Sequence, residues 1–230
     1  MLHWIRSLFT LLFPRYCTVC DNILRGDEKR LCLKCDINLP RTYYHLQKEN
    51  NLEKLFWGRI PIERGTALFF YNRGSDYRAI LHHLKYKNDP VIGSIIGEQM
   101  SMEFAESDFF TGVDVIIPVP LHSKKLRKRG YNQSEEIAKG VARATGIPLD
   151  TTSVKREKDT ETQTKKSAFE RWENVSGIFV LSQPEQFVGK HILLVDDVLT
   201  TGATICAVAD AFKEVEGLRF SVLTLAVAQQ

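Results

Sequence analysis

The chain has 230 residues, and 43% of them are hydrophobic. A chain of this length can form one domain of roughly 150 to 200 residues with a smaller piece beside it. The net charge of +3 is too small to indicate nucleic-acid binding by itself. No stretch approaches the roughly 20 apolar residues that a membrane-spanning helix needs, so we predict no membrane span.

The N-terminal segment runs from Met1 to Pro14 and is largely apolar. It differs from a secretory signal because its apolar run after Ser7 is only about six residues long and lacks a small-residue cleavage site. We predict an amphipathic helix that packs on the domain. We therefore expect a soluble cytoplasmic protein.

Four of the five cysteines form two C-x-x-C pairs separated by eleven residues: Cys17, Cys20, Cys32 and Cys35. This spacing is typical of one tetrahedral zinc site shared by two tight knuckles. Four thiolates close the shell and leave no position for a catalytic water, so the predicted role of Zn²⁺ is structural. Two disulfides or a redox pair are the alternative, but no secretory signal or thioredoxin-like context supports them.

A polar stretch from Cys35 to Asn51, interrupted by Pro40, predicts a linker. It divides the chain into residues 1–50, with the N-terminal helix, zinc ribbon and linker, and residues 51–230, the main domain. The main domain begins with a predicted strand, Gly65 to Tyr71, and a helix, Tyr77 to Tyr86. Lys85 and Lys87 could reach a phosphate there, although lysines at helix ends are usually solvated.

A short apolar strand, Val113 to Pro118, begins an alternation of strands and helices that continues to Leu223–Val227. This alternation predicts a doubly wound parallel sheet. Ligands of such sheets bind beyond the carboxyl ends of the strands. Both Pro118-Val119-Pro120 and Asp196-Asp197 fall at that predicted edge.

The segment from Pro118 to Gln133 carries five basic side chains within six positions: Lys124, Lys125, Arg127, Lys128 and Arg129. We predict a flexible loop, which suits a ligand with several phosphate charges. A solvated loop or a nucleic-acid patch is the alternative. A helix is predicted to begin near Asn132.

The stretch from His191 to Thr204 predicts a buried strand, Ile192 to Val195, a polar loop, and a helix from Ala203 to Glu214. The start of a helix presents unpaired N–H groups that suit a phosphate monoester, and the threonines of the loop add hydroxyl donors. Asp196 and Asp197 would repel a phosphate, so ribose hydroxyls or a ligand-borne Mg²⁺ are their expected targets. Simple helix capping by Asp and Thr is the alternative.

This stretch resembles the phosphoribosyl pyrophosphate (PRPP) loop of type I phosphoribosyltransferases. Nearly the whole chain resembles the ComF family, the competence-associated and GntX-like phosphoribosyltransferase homologues of bacteria. The likeness rests on the double-cysteine ribbon, Leu84-Lys85-Tyr86, Pro-Val-Pro-Leu-His, Arg129-Gly130-Tyr131-Asn132-Gln133 and the Asp196-Asp197 loop. It implies an α/β fold, a type I phosphoribosyltransferase-like parallel sheet with flanking helices, plus a small N-terminal zinc ribbon.

The resemblance also implies an activity: binding of PRPP with Mg²⁺ and transfer of the phosphoribosyl group to an unidentified acceptor. Asp196 and Asp197 would be the catalytic pair that holds the ribose. The 5′-phosphate would lie on the loop formed by Thr200, Thr201, Gly202, Ala203 and Thr204. Lys124 and Arg129 would bind the pyrophosphate.

Two further features qualify this resemblance. Arg156, Gln163, Arg171 and Asn174 match a ComF-like pattern that implies a hood over the site, although their side chains could equally lie on the surface. Purine-salvage relatives usually carry an aspartate at the position of Thr200, so a purine acceptor handled by that residue is doubtful.

A non-catalytic module is the alternative function: a PRPP sensor or a nucleic-acid-associated accessory of DNA uptake, acting through the basic segment and the zinc ribbon. The chain has no G-x-x-x-x-G-K-[ST] stretch, so it is not itself an ATP-driven motor. Its expected partners on this reading are single-stranded DNA and a helicase-like competence protein.

Overall fold

The structure is a computed structural model that describes residues 14–157 and 177–229. The helices are α1 Leu33–Ile37, α2 Asn51–Lys54, α3 Arg78–Tyr86, α4 Val91–Phe104, α5 Ser123–Arg129, α6 Gln133–Thr145 and α7 Ala203–Asp210. The strands are β1 Arg64–Tyr71, β2 Val115–Pro118, β3 Val154–Arg156, β4 Phe179–Leu181, β5 His191–Leu199 and β6 Arg219–Ala228. Short 3-10 turns occupy Tyr44–Leu46 and Pro184–Phe187.

Four strands form a sheet in the order β1-β6-β5-β2, and all three pairings are parallel. Val195 of β5 pairs with Pro118 on one side and with Leu223 on the other, so β5 and β6 are the central strands. The strands β3 and β4 form a separate antiparallel pair. The predicted parallel sheet is confirmed.

Helices cover both faces of this sheet. Ile192 and Leu194 of β5 belong to one apolar cluster, together with Ile205 of α7. Leu193 and Val195 belong to a second cluster, which includes side chains of α3, α4 and α6. Successive strand residues point to opposite faces, so the continuous apolar run of β5 is explained by burial on both sides.

Helices α4 and α6 approach each other closely because glycines lie at their contact. A Cβ added to Gly97 would overlap the carbonyl oxygen of Ile137, and one added to Gly140 would overlap the carbonyl oxygen of Ser94 and lie 2.7 Å from the Glu98 nitrogen. The partners are backbone atoms, which cannot rotate away. This contact fixes the position of α6, whose first turn reaches the candidate site.

We expect Gly140→Ala to lower the free energy of unfolding by about 1–3 kcal/mol, because overpacking outweighs the gain that alanine brings to a helix interior. Gly74→Ala is the matched control, since a Cβ there would meet only Asn72 Oδ1 at 3.8 Å. Urea unfolding of both variants measures the difference. Equal midpoints for the two variants would contradict the close contact.

Two predicted element ends and one predicted loop are wrong. Strand β5 extends past Val195 to Leu199, because Asp196 and Leu199 continue the pairing with β6. The basic segment forms helix α5 instead of a flexible loop. Helix α7 ends at Asp210, short of Glu214, and turns follow it.

The helical state of the basic segment has a local cause. The side chain of His122 accepts a hydrogen bond from the Lys124 N–H at the N-terminus of α5. Gly130 ends the helix with φ 83°, a left-handed conformation that glycine adopts without strain. Lysine and arginine are good helix formers, so capping at both ends stabilises the helix despite its charge.

The segment predicted as a linker contacts the sheet. The Thr42 N–H donates to the Leu68 carbonyl at 3.1 Å, and the Phe70 N–H donates to the Pro40 carbonyl at 2.8 Å. Asn50 caps α2 and donates from its side chain to the Gly65 carbonyl at 2.9 Å. The boundary between residues 50 and 51 stays a prediction.

Several predicted features lie outside the described residues. These are the N-terminal helix, apart from Pro14, and three of the four hood residues, Gln163, Arg171 and Asn174. The fourth, Arg156, lies in β3 with its guanidinium 5.5 Å from the centroid of the Phe179 ring. Among the described helices, none is long and apolar enough to cross a membrane.

Candidate functional site

The four predicted metal ligands lie together. The Sγ atoms of Cys17, Cys20, Cys32 and Cys35 are all within 4.8 Å of one another. Two knuckles create this arrangement: the Asp21 N–H donates to the Cys17 carbonyl at 3.0 Å, and the Asp36 N–H donates to the Cys32 carbonyl at 2.9 Å. Four sulfur atoms at this separation fit a tetrahedral zinc ion.

The protein environment affects these thiols unequally. Although burial favours the neutral thiol, hydrogen bonds from the backbone N–H groups of Cys32 and Cys20 lower the pKa of Cys17 to about 7. Burial and the neighbouring sulfur atoms raise the pKa of Cys35. Four thiolates therefore require a cation in their midst, since each ionised sulfur disfavours the ionisation of the others.

Polar contacts fasten the cysteine cluster to the main domain. The Tyr77 hydroxyl donates to the Cys35 carbonyl at 2.9 Å. Arg30 forms an ion pair with Asp89 at 2.8 Å. Tyr77 directly precedes α3, and Asp89 follows it. The cysteine cluster therefore supports α3, whose last turn reaches the acid pair.

Asp196 and Asp197 lie near the carboxyl end of β5, and their side chains contact different helices. Asp196 Oδ1 accepts hydrogen bonds from Ser134 Oγ at 2.9 Å and from the Asp197 N–H at 2.8 Å. Asp197 Oδ2 lies 2.9 Å from Lys85 Nζ. The first turn of α6 therefore orients one carboxyl group, and the last turn of α3 orients the other.

The surroundings of the two acids differ. Burial, and then the negative charge of Asp197, raise the pKa of Asp196 to about 7. Lys85 provides Asp197 with a cationic partner. Near neutral pH the carboxyl group of Asp196 is thus close to half-protonated.

We expect Asp196→Asn to stabilise the protein at pH 8 and to have little effect near pH 4. The folded-state pKa of Asp196 lies above the ordinary 3.8, so its contribution to stability is present below pH 4 and is lost as the pH rises through about 7. The full rise of the Asp196 pKa corresponds to a loss of at most about 4 kcal/mol in the free energy of unfolding. Urea unfolding at pH 4 and pH 8 measures it, with the exposed Asp210→Asn as control. A difference independent of pH would contradict this cause.

The predicted phosphate loop follows β5 directly and leads into α7. Gly202 caps α7 with φ 73°, and it offers no side chain to the N–H groups of the first turn. Those N–H groups point beyond the helix start, where an anion is favoured. Thr200 and Thr204 are exposed on either side of the turn.

A distant segment supports this loop. The Arg59 guanidinium donates to the Thr201 carbonyl at 2.6 Å and to the Leu55 carbonyl at 3.2 Å. A Cβ on Gly202 would lie 2.9 Å from Phe56 Cε1, so only glycine fits between the loop and this ring. The turn before β1 therefore holds the loop in shape.

The second motif meets the acid pair at the same edge, as predicted. The Val119 N–H donates to the Val195 carbonyl at 2.9 Å. The Asn132 side chain donates to the Val119 carbonyl at 3.0 Å and also caps α6. Ser134, two residues further on, is thereby brought to Asp196.

The basic helix α5 lies between Val119 and Asn132 in the chain. All of its residues are at least partly exposed. Arg129 donates to the Gln133 side chain, and its guanidinium lies 5.6 Å from the centroid of the Tyr86 ring. Lys124 is exposed in the first turn. The structure thus places Arg129, through Tyr86, beside the helix end that contacts Asp197.

Three site residues were not predicted as such: Lys85, Ser134 and Arg59. For Lys85 the sequence left open whether it reaches a phosphate or is solvated, and the structure shows that it contacts Asp197. Ser134 and Arg59 have ordinary sequence contexts, and only the folded chain brings them to Asp196 and Thr201. For Ser134, the sequence offered one signal: this residue lies two positions after Asn132, near which a helix was predicted to begin at the site edge.

A groove of about 520 Å³ lies between α7 and the segment around Arg59 to Pro61. It shares Ala203 with the phosphate loop, but neither Asp196 nor Asp197 lines it. Its lining is largely apolar, and the buried Cys206 lies in its wall. The groove is therefore separate from the acid pair.

Comparison with known proteins identifies the class. Residues 130–229 match the family model of the phosphoribosyl transferase domain. This segment contains the acid pair, the predicted phosphate loop and the whole of α6. The parallel sheet and the matched domain define a phosphoribosyltransferase-like protein.

Curated relatives narrow the class to a family. The chain is 33% identical to the DNA utilization protein YhgH of Shigella flexneri over 196 residues, which cover 84% of this chain and 82% of the relative. It is 40% identical to competence protein F of Haemophilus influenzae over 93 residues, 40% of this chain and 41% of that one. It is 26% identical to competence protein ComFC of Bacillus subtilis over 203 residues, 87% of this chain and 79% of that one. The chain belongs to the ComF family of phosphoribosyltransferase-like proteins.

Proposed function

We propose that the protein binds PRPP together with Mg²⁺ and transfers its phosphoribosyl group to an acceptor. One observation supports this most strongly: Asp196 and Asp197 lie near the carboxyl end of the central strand β5, and the loop after this strand leads into α7 at Gly202. Carboxyl oxygens offer acceptors for sugar hydroxyls, and the N–H groups of the neighbouring helix N-terminus offer donors for a phosphate, all within one short segment.

Each part of PRPP has a proposed contact. The 5′-phosphate lies on the N–H groups and hydroxyls of Thr200, Thr201, Gly202, Ala203 and Thr204. The ribose hydroxyls donate to Asp196 and Asp197. Lys124 and Arg129 bind the pyrophosphate, and their charge stabilises the leaving group. Mg²⁺ prefers oxygen ligands, and when bound it neutralises part of the pyrophosphate charge.

The proposed reaction is a substitution at ribose C1. A nitrogen nucleophile forms the new C1–N bond, the C1–O bond to pyrophosphate breaks, and the bonding electrons leave with the pyrophosphate oxygen. Positive charge develops on the ribose ring during this step. The nearby carboxylate of Asp197 favours that charge, while Lys85 keeps the carboxylate in place.

Release of pyrophosphate tests this proposal. Purified protein is incubated with PRPP, Mg²⁺ and pools of nucleobases or amines, and pyrophosphate is measured by a coupled assay. We expect release that depends on one acceptor pool and is lost in the Asp196→Asn, Asp197→Asn variant. PRPP binding without release for any pool would support the non-catalytic alternative.

That alternative is an accessory role in DNA uptake, and the exposed helix α5 favours it. Its five basic side chains form a cationic surface that could contact single-stranded DNA. Relatives are named as competence and DNA utilization proteins, and these names fit a role in DNA uptake. The helicase-like partner and the cytoplasmic location stay predictions. A gel-shift titration with single-stranded DNA tests it: no binding at low salt would remove this role.

We further propose that the four-cysteine cluster holds one structural Zn²⁺. The close packing of the four Sγ atoms supports this assignment, and the C-x-x-C spacing of both knuckles is typical of zinc ribbons. Zinc would stabilise a segment that is too small to fold on its own apolar contacts.

A further inference from the structure

We infer that Lys85 is a further pyrophosphate-binding residue, a role that rests on the proposed function. Its ammonium lies 2.9 Å from Asp197 Oδ2, and its side chain is 23% exposed. An ammonium has three N–H donors, and this ion pair engages one of them. The remaining donors are available to an anion that lies next to the ribose.

The position of Lys85 is fixed by its helix. Leu84 is fully buried, and its carbonyl accepts a hydrogen bond from the Tyr131 hydroxyl at 2.7 Å. The last turn of α3 is therefore held against the motif that leads into α6. A lysine on a fixed turn loses less freedom on binding than one on a mobile loop.

Lys85 also lies beside the other proposed pyrophosphate contact. The next residue is Tyr86, and the Arg129 guanidinium lies over its ring, 5.6 Å from the ring centroid. Two cations thus adjoin one helix end, with Asp197 bound to the first of them. This arrangement connects the ribose carboxylate with the basic helix.

The charge of PRPP favours a cation directly beside the acid pair. Its pyrophosphate is attached to C1, next to the C2 hydroxyl that the acid pair would accept. Two carboxyl groups without a cation would repel the pyrophosphate at this distance. An ammonium that contacts both Asp197 and the pyrophosphate offsets that repulsion.

Ribose 5-phosphate separates this role from a purely structural one, because it has the same ribose and 5′-phosphate but no pyrophosphate. We compare Lys85→Gln with Lys87→Gln, an exposed lysine at the same helix end. Calorimetric titrations with magnesium use PRPP and ribose 5-phosphate as ligands. We expect Lys85→Gln to weaken PRPP binding about tenfold or more and ribose 5-phosphate binding by at most about threefold. Lys87→Gln should leave both unchanged.

Equal weakening of both ligands would mean that Lys85 acts only through Asp197 and would overturn the inference, as would unchanged PRPP affinity. If Lys85→Gln does not fold, the wild-type protein is used instead, and chemical acetylation of its lysines is compared in the presence of PRPP and of ribose 5-phosphate. PRPP should protect Lys85, ribose 5-phosphate should not, and Lys87 should react equally with both; equal protection of Lys85 would again overturn it. Failure of the wild type to bind PRPP would instead remove the proposed function.

Discussion

We expect the double substitution Asp196→Asn, Asp197→Asn to lower the affinity for PRPP by about a hundredfold or more, because it removes two charge-assisted acceptors for ribose hydroxyls. The fold should persist, since asparagine has nearly the same shape and β5 is held by its pairing with β6 and β2. Calorimetric titration of PRPP measures the loss. Circular dichroism checks the fold.

The matched control is Asp210→Asn, which changes an exposed aspartate at the far end of α7. It makes the same change in net charge per residue without touching the strand. We expect wild-type affinity for this variant. If the double variant binds PRPP as tightly as Asp210→Asn does, the acid pair is not part of the ligand site.

We expect Cys17→Ser to lose most of the bound zinc and to expose residues 14–37 to proteases. Zinc binding contributes about 10–16 kcal/mol to the folding of zinc-finger peptides, so removal of one ligand should open this small segment before the rest of the domain. Metal analysis of protein purified without added zinc should give close to one equivalent for the wild type. Limited proteolysis measures the opening.

Cys206→Ser is the control for this experiment, because Cys206 is buried in α7 and lies outside the four-cysteine cluster. Its metal content should equal that of the wild type. A Cys17→Ser variant that keeps full metal and full stability would exclude the proposed zinc site. Since Tyr77 and Asp89 connect the cluster to both ends of α3, loss of zinc should also weaken the position of Lys85.

The sheet and both site motifs could be predicted because their signals are local. The apolar run Ile192–Val195 indicated a strand buried on both faces, and the structure confirms that burial. The spacing of the cysteines predicted a cluster that the structure also brings together. Gly202 before a helical pattern located the start of α7.

Other features could not be predicted because they depend on distant partners or on a balance of local effects. The end of β5 is set by pairing with β6, which hydrophobicity does not reveal once Asp196 begins. The many like charges of the basic segment suggested a loop, but capping by His122 and Gly130 stabilises a helix. The contacts Lys85–Asp197 and Arg59–Thr201 join segments far apart in the chain.

The central claim is that the carboxyl end of β5 binds PRPP, and a calorimetric titration of PRPP into the purified protein, with and without magnesium, tests it most directly. We expect binding in the micromolar range that requires magnesium and disappears in the Asp196→Asn, Asp197→Asn variant. Absence of binding under both conditions would contradict the claim and favour a scaffold that keeps the fold and acts through helix α5 and the cysteine cluster.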